Sequence, residues 1–115
     1  MYGYQHLIAA KTTGENIEQE IYDFSYLFTE TSFPFLEIVV FLHCTNSWWG
    51  GVRCVKYVTW SRTSEYIQEI YNHNNGSHQE SKIRFDVKSK KLYITPVYDG
   101  MICDIYLLKF PNTVL

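Results

Sequence analysis

Apolar and polar residues along this chain follow two different periods, and the switches between them mark out its expected elements. Tyr4 to Ala9 is a brief apolar stretch that reads as a first strand. Thr12-Thr13-Gly14-Glu15 then has capping-box spacing, with a hydroxyl first and a carboxylate three residues on. Placed at about 100° per residue, Ile17, Ile21, Phe24, Leu27 and Phe28 fall on one face. That is the core stripe of an amphipathic helix, running to Thr29 with Pro34 barring its continuation. Leu36 to Cys44 is almost wholly apolar, the pattern of a strand that is central in a sheet or covered on both faces.

Trp48-Trp49-Gly50-Gly51 reads as a hairpin turn, and Val52 to Trp60 as the return strand. Ser61 or Thr63 can cap a second helix whose apolar face is Tyr66, Ile67, Ile70 and Tyr71. His73 to Ser81 is an exposed loop by its Asn, Gly, Ser and His content. Lys82 to Lys88 alternates Ile83, Phe85 and Val87 inward with Arg84 and Asp86 outward. Leu92 to Tyr98 follows a Ser89-Lys90-Lys91 turn, and Pro96 marks that strand as an edge or a bulge. Asp99-Gly100 is the strongest hairpin signal, returning the chain as Met101 to Phe110 with Cys103, Ile105 and Leu107 on one face.

The resulting order, β-α-β-β-α-β-β-β, predicts one α+β domain spanning residues 1–115. It would be an antiparallel sheet of about six strands with two helices packed on one face. A partly closed β-barrel with a helix plug is the alternative. Ile17, Ile21, Phe24, Phe28, Val39, Phe41, Ile83, Phe85, Ile105 and Leu107 are the expected core.

Composition adds a surplus of aromatic rings. Ten Tyr, seven Phe and three Trp in 115 residues exceed what so small a core needs, so some rings should face solvent or a partner. The opening Met-Tyr-Gly-Tyr-Gln-His has no basic or apolar secretory region, and no apolar run approaches the roughly 20 residues that cross a bilayer. Cys44, Cys54 and Cys103 are an odd number in apolar segments and read as reduced thiols, with a Cys44–Cys54 disulfide as the lesser alternative. A cytoplasmic location is therefore expected.

Motifs for chemistry are weak. His43 and Cys44 are neighbours on a strand and so point to opposite faces, a poor geometry for a thiol and its base; His43 with Cys54 across the hairpin is the better pairing. Cys44, Cys54, His73 and His78 have zinc-ligand types, but nine residues part the cysteines where structural sites place about two to four. Asp99 and Asp104 could supply paired carboxylates, although an Asp before Gly is usually turn chemistry. No phosphate-binding glycine pattern and no hydrolase or zinc-protease motif occurs. Neither catalysis nor a cofactor is predicted.

Charge is polarised: Glu15, Glu18, Glu20, Asp23, Glu30 and Glu37 face only Lys11 in the first third, whereas Lys82, Arg84, Lys88, Lys90 and Lys91 crowd one later hairpin. A charged edge hairpin is ordinary protection against sheet aggregation, which disfavours nucleic acid as its ligand. On the first helix, Tyr22 and Tyr26 share a face with Glu18, Gln19, Asp23 and Glu30, an aromatic anchor in an acidic field. Trp48 and Trp49 cannot both be buried in a tight turn. These eight residues are the expected partner-binding set. They suggest a small inhibitor, of the immunity-protein, antitoxin or phage-encoded kind, that covers the working surface of a larger basic protein such as a nuclease. The alternative is an enzyme or ligand-binding domain with a pocket between sheet and helices, lined by Tyr57, Trp60, His43 and Tyr106.

Overall fold

The computed structural model describes residues 3–28, 36–44, 52–59, 65–73 and 81–109. These form eight strands: β1 Gly3–Lys11, β2 Gln19–Asp23, β3 Leu36–His43, β4 Val52–Thr59, β5 Glu65–His73, β6 Lys82–Asp86, β7 Lys91–Thr95 and β8 Ile102–Lys109. A single turn of 3-10 helix, Ser25–Phe28, is the one helical element among the described residues. The strands make two antiparallel sheets, one ordered β1-β8-β3-β4-β5 and the other β2-β7-β6. The α+β expectation is thereby overturned: the fold is all-β, and the two sheets stack face to face as a sandwich. The barrel alternative fails as well, because β1 and β5 end the larger sheet without pairing to each other.

One core lies between the sheets. Ile38, Val40 and Leu42 of β3, Val55 and Tyr57 of β4, and Cys103, Ile105 and Leu107 of β8 meet Leu92 and Ile94 of β7, Phe85 of β6, and Phe24. Tyr57 locks the layers together. Its ring lies 5.2 Å from that of Phe85, and its hydroxyl accepts from the Phe85 amide at 3.0 Å and donates to the Ile83 carbonyl at 3.3 Å. Arg53 adds a second link, from β4 to the Ser81 carbonyl at the start of β6.

The first predicted helix fails for reasons visible in its backbone. Gly14 and Asn16 both have positive φ, 76° and 59°, which a right-handed helix does not admit. The Thr12 hydroxyl accepts from the amide of Met101 rather than capping a helix. Gln19 closes the loop instead, donating to the Thr13 and Ile17 carbonyls and accepting from the Thr13 amide. The chain then enters β2, where a bulge between Glu20 and Tyr22 breaks the two-residue alternation. Ile21 and Tyr22 both pack against the core as a result, and with Phe24 they imitate helical spacing. The second predicted helix is β5. There the pairing of Cys54 with Tyr71 and of Val55 with Glu69 leaves Ile70 as the extra residue of another bulge. An i, i+3, i+4 pattern arises each time from a strand that changes phase.

Strand faces and partners bring further corrections. Val39 and Phe41 were expected in the core, but they occupy the outer face of β3 and are only partly covered, while Ile38, Val40 and Leu42 are wholly buried. Ile17 is 58% exposed, and the side chain of Phe28 is outside the described residues. Ile21 and Ile83 lie at the margin of the core, and Phe24, Phe85, Ile105 and Leu107 lie within it. The Asp99-Gly100 turn, with Gly100 at φ 72°, makes no hairpin: it carries the chain from β7 in one sheet to β8 in the other. β7 is central in its sheet, and ends at Thr95, one residue before Pro96. No helix among the described residues is long and apolar enough to cross a membrane.

Candidate functional site

Of the expected partner-binding residues, Glu18, Gln19, Tyr22, Asp23 and Tyr26 are described; Glu30, Trp48 and Trp49 lie outside the described residues, as do Trp60 and His78. Tyr22 and Tyr26 do come together, though not on a helix. Tyr22 sits inward on the edge strand β2 with its ring 4.6 Å from that of Phe24, and its hydroxyl is 2.8 Å from the Tyr26 hydroxyl. Tyr26, on the 3-10 turn, is 54% exposed. Desolvation, helped by the bond to Tyr22, pushes its phenol up to about 12, so Tyr26 stays neutral at physiological pH.

The acids expected around these tyrosines are turned elsewhere. Asp23 pairs in register with Lys91 on the opposite face of β2 from Tyr22, and its carboxylate accepts from the Ser25 hydroxyl and, at 2.8 Å, from the Ser25 amide, which together hold its pKa low. Glu18 makes a two-pronged ion pair with Arg84, at 2.9 and 3.1 Å, and Glu20 reaches Lys91 at 3.2 Å. Arg84 also lies over the Tyr93 ring at 4.3 Å. The acidic first third and the basic hairpin are thus adjacent strands of one sheet, and much of the charge polarity along the chain is cancelled across β2, β7 and β6. Gln19 is committed to the 12–18 loop.

A second cluster escaped sequence reasoning. On the outer face of the larger sheet, Asp104 of β8 lies between His6 of β1 and His43 of β3, with each carboxylate oxygen 2.8 Å from one imidazole Nε2. A carboxylate only accepts, so both Nε2 atoms carry protons. Burial raises the carboxyl pKa, but the two imidazole hydrogen bonds outweigh it and hold Asp104 below the ordinary carboxylate range. Tyr106 lies 5.0 Å from the His6 ring and Phe41 4.9 Å from that of His43. No local spacing marks the three, since each strand carries other polar residues as well, such as Gln5 on β1 and Glu37 on β3; bringing them together required the order β1-β8-β3.

Asp99 accepts from the Gly14 amide at 2.7 Å, so it does not pair with Asp104. All three cysteines are free thiols, and burial raises each pKa, that of Cys103 to about 12. That is the reverse of what a thiolate nucleophile needs. Among the described residues no group of three His, Cys, Asp or Glu side chains is placed to hold a metal ion. Tyr57 lies on the inner face of the larger sheet and His43 and Tyr106 on the outer, so these three do not line one pocket.

No family model and no curated protein matches this chain. Among solved structures it is similar to the tailspike protein of the Acinetobacter phage vB_ApiP_P1, with a TM-score of 0.44 and 13% identity. The likeness covers 94% of this chain and 21% of that one, about a fifth of the tailspike's length. At that score it bears on neither fold nor function.

Proposed function

We propose that this protein is a non-enzymatic binding protein of the cytoplasm that inhibits a larger protein by covering its working surface. The observation that carries this reading is the Tyr22–Tyr26 pair: Tyr22 is braced against Phe24, Tyr26 packs edge-on against Tyr22, and their hydroxyls are tied, with Tyr26 half in solvent. A ring held in one orientation loses little entropy on docking, which suits it to anchor an interface. Glu15, exposed in the preceding loop, makes no ion pair among the described residues, and it is the remaining support for a partner with a basic surface. Free thiols and thiol pKa values raised by burial agree with a reducing compartment and with no thiol chemistry.

Affinity capture with the intact chain from the cells that make it, followed by mass spectrometry, tests the reading. A stoichiometric protein partner is expected, and Tyr26→Ala should weaken its binding by about 2 kcal/mol or more while leaving the melting temperature nearly unchanged. Tyr26→Ala binding the partner as tightly as the parent would sink the assignment of this corner.

A further inference from the structure

The two outer faces of the sandwich differ in chemistry. On the smaller sheet the exposed outward positions are charged, Glu20, Asp23, Lys82 and Arg84, with Lys91, Tyr93 and Thr95 half-covered between them. The larger sheet presents Val39, Phe41, Val58, Ile102, Tyr106 and Leu108, all of them partly exposed. A solvated sheet face normally alternates to polar residues, as the smaller sheet does.

The ionisable groups on the larger face are also arranged for removal from water. Asp104 has both oxygens occupied by His6 and His43. Glu37 accepts from the Tyr4 hydroxyl at 2.5 Å and lies 4.0 Å from the Lys56 ammonium. Covering this face would leave neither carboxylate without partners, and leaving one without partners is the usual cost of burying a carboxylate. Five strands about 4.8 Å apart, with about seven residues each at about 3.3 Å, give a face of roughly 24 by 23 Å. Two such faces in contact remove roughly 1,100 Å² from water, just above the roughly 1,000 Å² that a specific protein interface needs.

We propose that the outer face of the five-stranded sheet is a self-association surface, covered by the same face of a second copy of this chain about a two-fold axis. Like faces suit one another because the middle of the patch is apolar and both of its carboxylates are already paired, the exposed Lys11 and Gln68 lying on its edge strands, and a two-fold contact closes without propagating. The surface is distinct from the Tyr22–Tyr26 corner, so a dimer leaves both of its corners open to a partner.

Light scattering after size exclusion, over a hundredfold range of concentration, should show twice the chain mass of 13.6 kDa at the upper end. Phe41→Glu should return it to one chain with an unchanged circular dichroism spectrum, and Val58→Lys serves the same purpose if Phe41→Glu does not fold. The native thiol of Cys54, opposite Phe41 on β4, needs no substitution: its alkylation, mapped by mass spectrometry, should slow several-fold as concentration rises. A single-chain mass throughout overturns the proposal, as does a dimer that both variants leave intact. Cys54 reactivity that is the same at every concentration also overturns it, pointing to a dimer through another face or to cover supplied by the chain itself.

Discussion

Replacing Tyr57 by Phe tests the link between the two sheets with a change of one atom. The hydroxyl is buried, accepts from the Phe85 amide at 3.0 Å and donates to the Ile83 carbonyl at 3.3 Å. The ring contact with Phe85 survives the substitution, and no cavity of consequence forms. The cost is therefore that of the orphaned amide: Phe85 is 4% exposed, so water does not readily replace the oxygen. An unsatisfied buried donor costs about 1–3 kcal/mol, and the long bond to Ile83 adds little, so about 2 kcal/mol is expected. In a domain of this size that lowers the melting midpoint by roughly 6–10 °C. Urea denaturation with an unchanged m-value should report the same loss. Hydrogen exchange gives a local reading: the Phe85 amide should lose more protection than amides deep in β8. Tyr106→Phe, on the outer face, is the control and should stay within about 0.5 kcal/mol of the parent. If Tyr57→Phe left both the midpoint and the Phe85 protection unmoved, the hydroxyl would not hold the layers together.

Two further outcomes follow from burial and charge. Phe24→Ala should cost about 3–5 kcal/mol because the ring is wholly buried, and Phe41→Ala in the isolated chain should cost less than half as much; equal losses in denaturant would contradict the face assignment of β3. The folded-state pKa of Asp104 lies below its unfolded value, so its contribution to stability is present above the ordinary carboxylate range and is lost as pH falls through the folded pKa. Asp104→Asn should flatten the acid limb of a stability–pH profile below about pH 4, and a profile that keeps its slope there would mean the two imidazoles do not hold the carboxylate in solution.

Much of the strand content was legible in the sequence. Lys82 to Lys88 and Met101 to Phe110 alternate cleanly, and Cys103, Ile105 and Leu107 do form one buried face. β1, β3 and β4 were also expected as strands, β3 from its nearly unbroken apolar run and β4 as the return after the Gly50-Gly51 turn. β2 and β5 were misread because each contains a bulge, which shifts the alternation by one residue and leaves an apolar spacing close to that of a helix. Only hydrogen-bond partners on neighbouring strands distinguish the two, and those of β2 are remote in the chain, on β7. Tyr22 and Tyr26 were expected one turn apart on a helix face pointing away from the core; instead Tyr22 packs inward and meets Tyr26 across a strand-to-turn corner.

The sequence by itself determined that alternating apolar stretches would form sheet around one core, since burying one face of each strand is a local property of its pattern. The tertiary structure alone decided which face of β3 is inside, because a run such as Leu36 to Cys44 is apolar at both phases and only the facing sheet selects one. It alone decided that Asp99-Gly100 crosses between layers rather than closing a hairpin, a turn's geometry being indifferent to which sheet receives the next strand. And it alone brought His6, His43 and Asp104 together, because neighbours across a sheet are set by the order in which strands pair, a consequence of long-range packing that no local spacing records.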